Sequence, residues 1–425
     1  MRPRDALLAP LALAVCASCA EHTEPEPPWV EVPLTQRARP VDILFVVDNS
    51  NSMMEEQELL ARQMASLLPE LITRTRPSEG DILPAVEDLH VGVVSTDMGT
   101  HGTSIMTCGN PMNGDNGVLQ NSGLQPGCQS AYSAPDCPRT ECPWLAHSAD
   151  APDDGTDPSN PPIWVDFGCI ASLGTGGCGF EQQLEAGLVA LTVHSDSGGP
   201  NEGFLREGSV LSVVLVTDED DCSSGNGEMF NPQNEQLGCF CLRCLLHPEL
   251  LYPIDRYYDA LRALRPDDED LLVVAAITGI PVDGSWSPGD SLDALRELQR
   301  VNPEYPNEQL PSCQTEMGIA FPPVRIVDLV YRFGDAGVLG SICRDDWSDT
   351  FEEIARAVQA RLPARCVELP GGVDPVTGCR LVDAVTGEAV EGWNIGFDSM
   401  PCPGGELHLG SGVDGAVRLE CAVEQ

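Results

Sequence analysis

The amino-acid sequence predicts an α/β protein with a mostly parallel sheet, and three observations carry that expectation. Short apolar runs recur that suit strands buried on both faces. Segments with apolar residues at helical spacing alternate with them. The longest irregular stretches follow the carboxyl ends of two of these runs, where a parallel sheet gathers its ligand site.

Taken in order, residues 41–47 read VDILFVV, an apolar run broken only by Asp42. Residues 48–52, DNSNS, are polar and turn-forming. Over 54–74, Leu59, Leu60, Met64, Leu67, Leu68 and Leu71 fall at helical spacing. Further strands are expected at 90–94, at 211–216 (LSVVLV) and at 271–278 (LLVVAAIT), the last after a helix near 255–264. Phe351, Ile354, Ala355, Val358 and Leu362 mark a final amphipathic helix. Strands alternating with helices imply parallel crossovers.

Two stretches break the rhythm. Residues 98–168 carry Cys108, Cys128, Cys137 and Cys142, and residues 219–250 carry Cys222, Cys239, Cys241 and Cys244. Loops of this length are functional or disordered, and disulfides argue for order. Beyond Leu362, Pro and Gly rise and helical periodicity stops. Residues 363–425, with Cys366, Cys379, Cys402 and Cys421, are expected as a small disulfide-tied β module. The main domain then spans 41–362.

The first 19 residues read as a signal peptide. Arg2 and Arg4 give a positive start, which Asp5 weakens, and residues 6–15 are largely apolar. That run is too short to cross a bilayer, which takes roughly 20 residues. Cys16-Ala17-Ser18-Cys19 resembles a bacterial lipobox with Cys19 as the lipidated residue. Cys16 departs from that pattern, which has Leu, Val or Ile there, and cleavage after Ala20 is the alternative. Residues 20–40, rich in Pro and Glu, read as a tether. The expected location is the bacterial cell envelope, with a lipid anchor as the sole membrane attachment. The chain has 18 Cys, and setting aside Cys16 and Cys19 leaves an even number for disulfides. Cys239, Cys241 and Cys244 are close enough to suggest zinc. No second CxxC pair follows them, so disulfides are the favoured reading.

The formal net charge is −43, from 66 acidic and 23 basic residues. Every basic residue is Arg. Such a surface repels phosphates, which excludes nucleic acid as a partner class.

The residues VDILFVVDNSNSM resemble the first strand and metal-ion-dependent adhesion site of von Willebrand factor A domains, whose signature is Asp-x-Ser-x-Ser after a buried strand. Asp48, Ser50 and Ser52 occupy the three positions. The resemblance covers roughly 41–362 and implies a doubly wound sheet with helices on both faces. It also implies that Ser50 and Ser52 bind the ion directly, that Asp48 acts through water, and that a Thr and an Asp come from two further loops. Asp218, after the run 211–216, fits the third loop, although Glu219, Asp220 and Asp221 stand where the family often has Gly. Their added charge would favour Ca²⁺ or a second cation. Thr175 in Leu173-Gly174-Thr175-Gly176-Gly177 is the choice for the second loop, with Thr96, Thr100 and Thr103 as rivals and Cys178 expected to brace it through Cys169. Mg²⁺ is the expected ion, with Ca²⁺ or Mn²⁺ as alternatives, because hard cations take oxygen ligands. Helix capping alone would also use Asp and Ser at 48–52.

The expected function is binding rather than catalysis. A protein ligand presents a carboxylate that completes the coordination, as in the family's adhesion domains. A structural envelope lipoprotein with no functional metal is the second reading, and a metal-assisted hydrolase the third. No GxSxG, HExxH, P-loop or GxGxxG in a fitting context appears, so no catalytic residue is nominated.

Overall fold

The computed structural model describes residues 29–72, 85–121, 143–149, 162–266, 269–282, 290–315, 318–369, 378–396, 402, 404–409 and 417–422. Cys19 and the rest of the leader lie outside them, as do Cys128, Cys137 and Cys142. Strands β1 (Trp29–Val32) and β2 (Leu34–Ala38) precede β3 (Val41–Val47), helix α1 (Met54–Ile72) and β4 (Asp88–Ser95). Then come β5 (Leu145–Ser148), α2 (Ile163–Ile170), α3 (Gln183–Leu191) and β6 (Val210–Val216). The short α4 (Arg243–Leu246) leads to α5 (Ile254–Ala263), β7 (Leu272–Thr278) and α6 (Asp290–Leu298). Next are β8 (Cys313–Gln314), β9 (Ile319–Ala320), α7 (Val324–Tyr331), β10 (Gly337–Ser341) and α8 (Ser348–Gln359). Strands β11 (Pro363–Val367), β12 (Cys379–Asp383), β13 (Ala389–Val390), β14 (Trp393–Gly396), β15 (Glu406–Leu409) and β16 (Val417–Ala422) follow.

The largest sheet has six strands in the order β10-β7-β6-β3-β4-β5. Its strands β3, β4, β6, β7 and β10 pair in parallel, and β5 runs antiparallel to β4. Alternation along β3 sends Ile43, Phe45 and Val47 to one face, where they pack on Leu60 and Met64 of α1, Phe167 of α2 and Phe351 of α8. Leu44 and Val46 point to the other face, against Leu184 of α3, Leu261 of α5 and Leu329 of α7. Asp42, the single break in the run, is fully buried and held by Arg206 at 2.7 Å and the Ser209 hydroxyl at 2.5 Å. A buried charge survives only when paired in this way.

The expectation of a doubly wound, mostly parallel sheet is overturned. The six-stranded sheet is mixed. The other three sheets, β1-β16-β12-β13, β14-β15-β11-β2 and β8-β9, are antiparallel throughout. The expectation generalised from four long apolar runs. The strands it missed are two to six residues long and mostly half-buried, so no apolar run marks them.

The stretch expected as a tether contains two strands of the fold. Within residues 20–40, Trp29–Val32 pairs with β16 and Leu34–Ala38 pairs with β11. Val32 and Leu34 join Val367, Leu381, Leu407 and Leu419 in a separate apolar cluster. Strands from 363–422 therefore share two sheets with residues 29–38. Cys379–Cys421 ties β12 to β16 within one of them, and Cys366–Cys402 anchors β11 of the other. Arg39 and Glu406, both buried, form an ion pair between the two ends.

Candidate metal centre

Parallel strands bring their carboxyl ends to one edge of the sheet. Val47 is level with Ser95 on one side and Val216 on the other. The residues that follow on these strands, Asp48, Thr96 and Thr217, therefore meet. Asp48 is wholly buried. Its Oδ1 accepts hydrogen bonds from the Ser50 amide at 2.7 Å and the Thr96 hydroxyl at 3.4 Å, and its Oδ2 accepts one from Thr217 at 2.6 Å. Burial raises the carboxyl pKa, and these bonds oppose the shift without cancelling it.

The loop carrying Thr175 is clipped onto the same edge. Gln57 of α1 donates from Nε2 to the carbonyls of Asp48 (2.8 Å) and Gly174 (2.9 Å), and its Oε1 accepts the Gly174 amide at 3.0 Å. The Gly177 amide donates to the Asn49 carbonyl at 2.9 Å. A Cβ at Gly177 would lie 2.1 Å from Asn49 Oδ1, so this approach requires glycine. Ser50 and Ser52 present hydroxyls 3.2 Å apart. Together with Thr175, Glu181 and Glu219 they line an open cleft of about 650 Å³.

Asp218 follows β6 directly and is 3 % exposed, with Oδ1 buried and lacking a hydrogen-bond partner. Burial drives its pKa well up, the charges of Asp48 and Glu219 add to the rise, and a hydrogen bond with Ser52 opposes it. Glu181 is also buried and raised, by burial first and then by the charges of Glu219 and Asp48. Burial lifts Glu219 and Glu56 to about 7 each, with the charge of Asp48 contributing to both. These carboxyl groups raise one another because each adds negative charge in a dehydrated place. A divalent cation removes that conflict, and the oxygen donors of Asp48, Ser50, Ser52, Thr175 and Asp218 suit a hard ion. The residues present fit a metal.

The structure therefore brings Asp48, Ser50, Ser52 and Asp218 together and sets Thr175 on the rim of the same cleft. Of the rivals, Thr96 touches Asp48, while the Thr100 hydroxyl turns to the Thr103 carbonyl at 2.6 Å. Two expectations about the surrounding residues are corrected. Asp220 and Asp221 do not face the site. Asp220 accepts the amides of Arg325 and Ile326 at the start of α7, and Asp221 binds the Arg325 guanidinium at 3.0 Å and the Leu184 amide of α3 at 3.0 Å. Cys178 is bridged to Cys108, not to Cys169. The grouping of Asp97, Cys108 and Cys178 offers ligand atoms within 4.8 Å of one another, but the disulfide occupies both sulfurs. Sequence reasoning missed Glu181, Glu56, Gln57 and Thr217. The alternation of β6 marks Thr217 as the next inward position, and nothing local marks the others.

No family model matches the chain, and no curated protein does. Among solved structures, proximal thread matrix protein 1 of the mussel byssus aligns at 12 % identity and TM-score 0.25, covering 57 % of this chain and 39 % of its own. The human COPII-coat protein Sec24c aligns at 12 % identity and TM-score 0.31, covering 91 % and 40 %. The pilus adhesin RrgA of Streptococcus pneumoniae aligns at 11 % identity and TM-score 0.29, covering 92 % and 58 %. The chain thus spans about two fifths of the length of the first two, and likenesses this slight carry no functional argument. The disulfides place the chain in an oxidising, extracytoplasmic setting. Among the described residues no helix is long and apolar enough to cross a membrane.

Proposed function

We propose that this protein is a metal-dependent binding module. Asp48, Ser50, Ser52, Thr175 and Asp218 hold a divalent cation, Mg²⁺ in the first instance, in the manner of a von Willebrand factor A adhesion site. Its remaining coordination position takes a carboxylate from a protein ligand. The observation that carries the reading is Asp218 Oδ1, a buried and unpartnered carboxylate oxygen beside the buried Asp48. An orphaned acceptor of this kind costs about 1–3 kcal/mol or more unless something binds it. Ser50, Ser52 and Thr175 line the cleft above, which gives a ligand access. The bound ion supplies positive charge to attract and orient the ligand carboxylate. Cys19 is the proposed lipid attachment that holds the module at the envelope. Transfer of the protein from detergent to the aqueous phase on Cys19→Ala tests that anchor.

The test of the metal site is calorimetric titration of Mg²⁺, Mn²⁺ and Ca²⁺ into wild type and Asp48→Ala. A single saturable site in wild type, lost in the variant while circular dichroism is unchanged, is expected. Equal, weak, multi-site heats in both would mean that the acidic surface collects ions without a specific site. The structural reading would then stand. Capture of envelope proteins with and without a chelator identifies the ligand.

A further inference from the structure

Cys239 and Cys241 are the free cysteines among the described residues, and Cys241 is exposed. Their sulfurs lie 2.6 Å apart. The third cysteine of the cluster, Cys244, is taken by Cys222, so the trio that zinc would need does not exist. The Cys241 thiol donates to the Asn307 carbonyl at 2.8 Å.

We propose that Cys239 and Cys241 form a thiol–disulfide exchange site, a Cys-Phe-Cys bridge that closes on oxidation and is opened by an external thiolate. Three features separate it from the other bridges. Its cysteines are two positions apart, whereas those of the other described pairs are 22 to 70 apart. Closing so short a loop removes little chain entropy from the unfolded state, so folding does little to hold the bond shut. Cys241 is open to solvent, and exposed disulfides are the labile ones. In the reduced pair, burial and the contact with Cys239 push the Cys241 thiol up to about 11. That thiol is mostly protonated near neutral pH, so the thiolate needed to attack a disulfide is scarce and the bridge recloses slowly.

The exchange balances with glutathione as reductant. A glutathione thiolate attacks Cys241 Sγ, the bond to Cys239 Sγ breaks, and its electron pair leaves on Cys239, which takes a proton from water. A second glutathione thiolate attacks the glutathione sulfur of the mixed disulfide. That step releases glutathione disulfide and leaves Cys241 as a thiolate, which is then protonated. Two glutathiones have together lost two electrons, and the pair has gained them. Glutathione disulfide closes the bridge by the reverse steps.

The test uses the full chain purified without reductant. The native protein is equilibrated in glutathione buffers of graded ratio, quenched by alkylation and mapped by mass spectrometry. Cys239 and Cys241 should be unlabelled in the most oxidising buffer and label together as it becomes reducing. Their labelling should exceed that of Cys222 and Cys244 by about tenfold at the midpoint. Cys239→Ser removes the resolving thiol and should accumulate one glutathione on Cys241. If that variant misfolds, the wild-type labelling decides alone. Labelling of both thiols in every buffer would overturn the proposal, as would a pair that opens only when Cys222–Cys244 does, or stoichiometric zinc.

Discussion

Thr217 donates its hydroxyl hydrogen to Asp48 Oδ2 at 2.6 Å and accepts one from Gln183 Nε2 at 2.8 Å, so the third loop fixes the carboxylate of the first. Both partners are buried. Thr217→Val keeps the shape and strands a carboxylate oxygen and an amide. It should lower stability in urea by about 1–3 kcal/mol. It should also weaken Mg²⁺ binding, because Asp48 loses the bond that orients it. Thr217→Ser should restore both. Stability and affinity unchanged in the valine variant would show that the bond holds nothing.

Arg325 of α7 links the loop after β6 to the segment before α5. Its guanidinium binds Asp221 at 3.0 Å and the Tyr252 carbonyl at 2.8 Å, with Asp221 fully buried. Arg325→Leu leaves Asp221 as an uncompensated buried charge, and removing one partner of such a pair costs about 3–5 kcal/mol. Adding Asp221→Asn should recover part of the loss. Denaturant unfolding of the two single variants and the double variant measures the coupling, and additive losses would refute it.

These interactions mark how much the sequence disclosed. The buried strands β3, β4, β6 and β7 and the helices α1, α5 and α8 are visible as apolar periodicity, because packing on the sheet demands it. Asp48, Ser50, Ser52 and Asp218 are visible because they directly follow two of those strands. What stayed hidden depends on partners remote in sequence. Trp29–Ala38 reads as a tether because its pairing strands lie at the far end of the chain. Asp220 and Asp221 read as extra charge for the ion because their true partners, the amides of α7 and α3 and the Arg325 side chain, carry no local signature. Glu181 reaches the cleft through a loop whose course follows from the Cys108–Cys178 bridge, a pairing that spacing alone does not reveal.

The metal-free chain should lose stability as pH rises. Glu56 and Glu219 titrate near 7 in the folded chain, above the ordinary value of 4.5, because burial disfavours their charged forms. The folded state therefore binds these protons more tightly than the unfolded state does. The stability they contribute is complete below about pH 4.5 and is lost as pH passes through about 7. With a chelator present, the melting temperature should fall between about pH 5 and about pH 8. Saturating Mg²⁺ should flatten that slope and raise the melting temperature most at the alkaline end, where the cation no longer competes with protons. A chelated chain with a flat profile, or one that gains stability with pH, would count against the carboxyl cluster.

Val32 is 4 % exposed and packs with Val367, Leu381, Leu407 and Leu419, while β1 pairs with β16 along Trp29–Val32. Val32→Asp puts a carboxylate into that cluster with no cation assigned to meet it. The change forfeits the burial of a valine, about 1.5–3 kcal/mol, and adds the cost of dehydrating a charge. The damage should stay local, because Val32 lies in a different apolar cluster from the six-stranded sheet. Residues 363–422 should become sensitive to protease, and more so after reduction, when Cys366–Cys402 and Cys379–Cys421 no longer restrain the opened strands. Mg²⁺ binding at Asp48 should persist. Limited proteolysis with mass spectrometry locates the cuts, and calorimetry on the same samples reads the metal site. If Val32→Asp is as resistant as wild type, the strand 29–32 is not part of the fold. If metal binding is lost with it, the two ends and the metal site unfold as one unit.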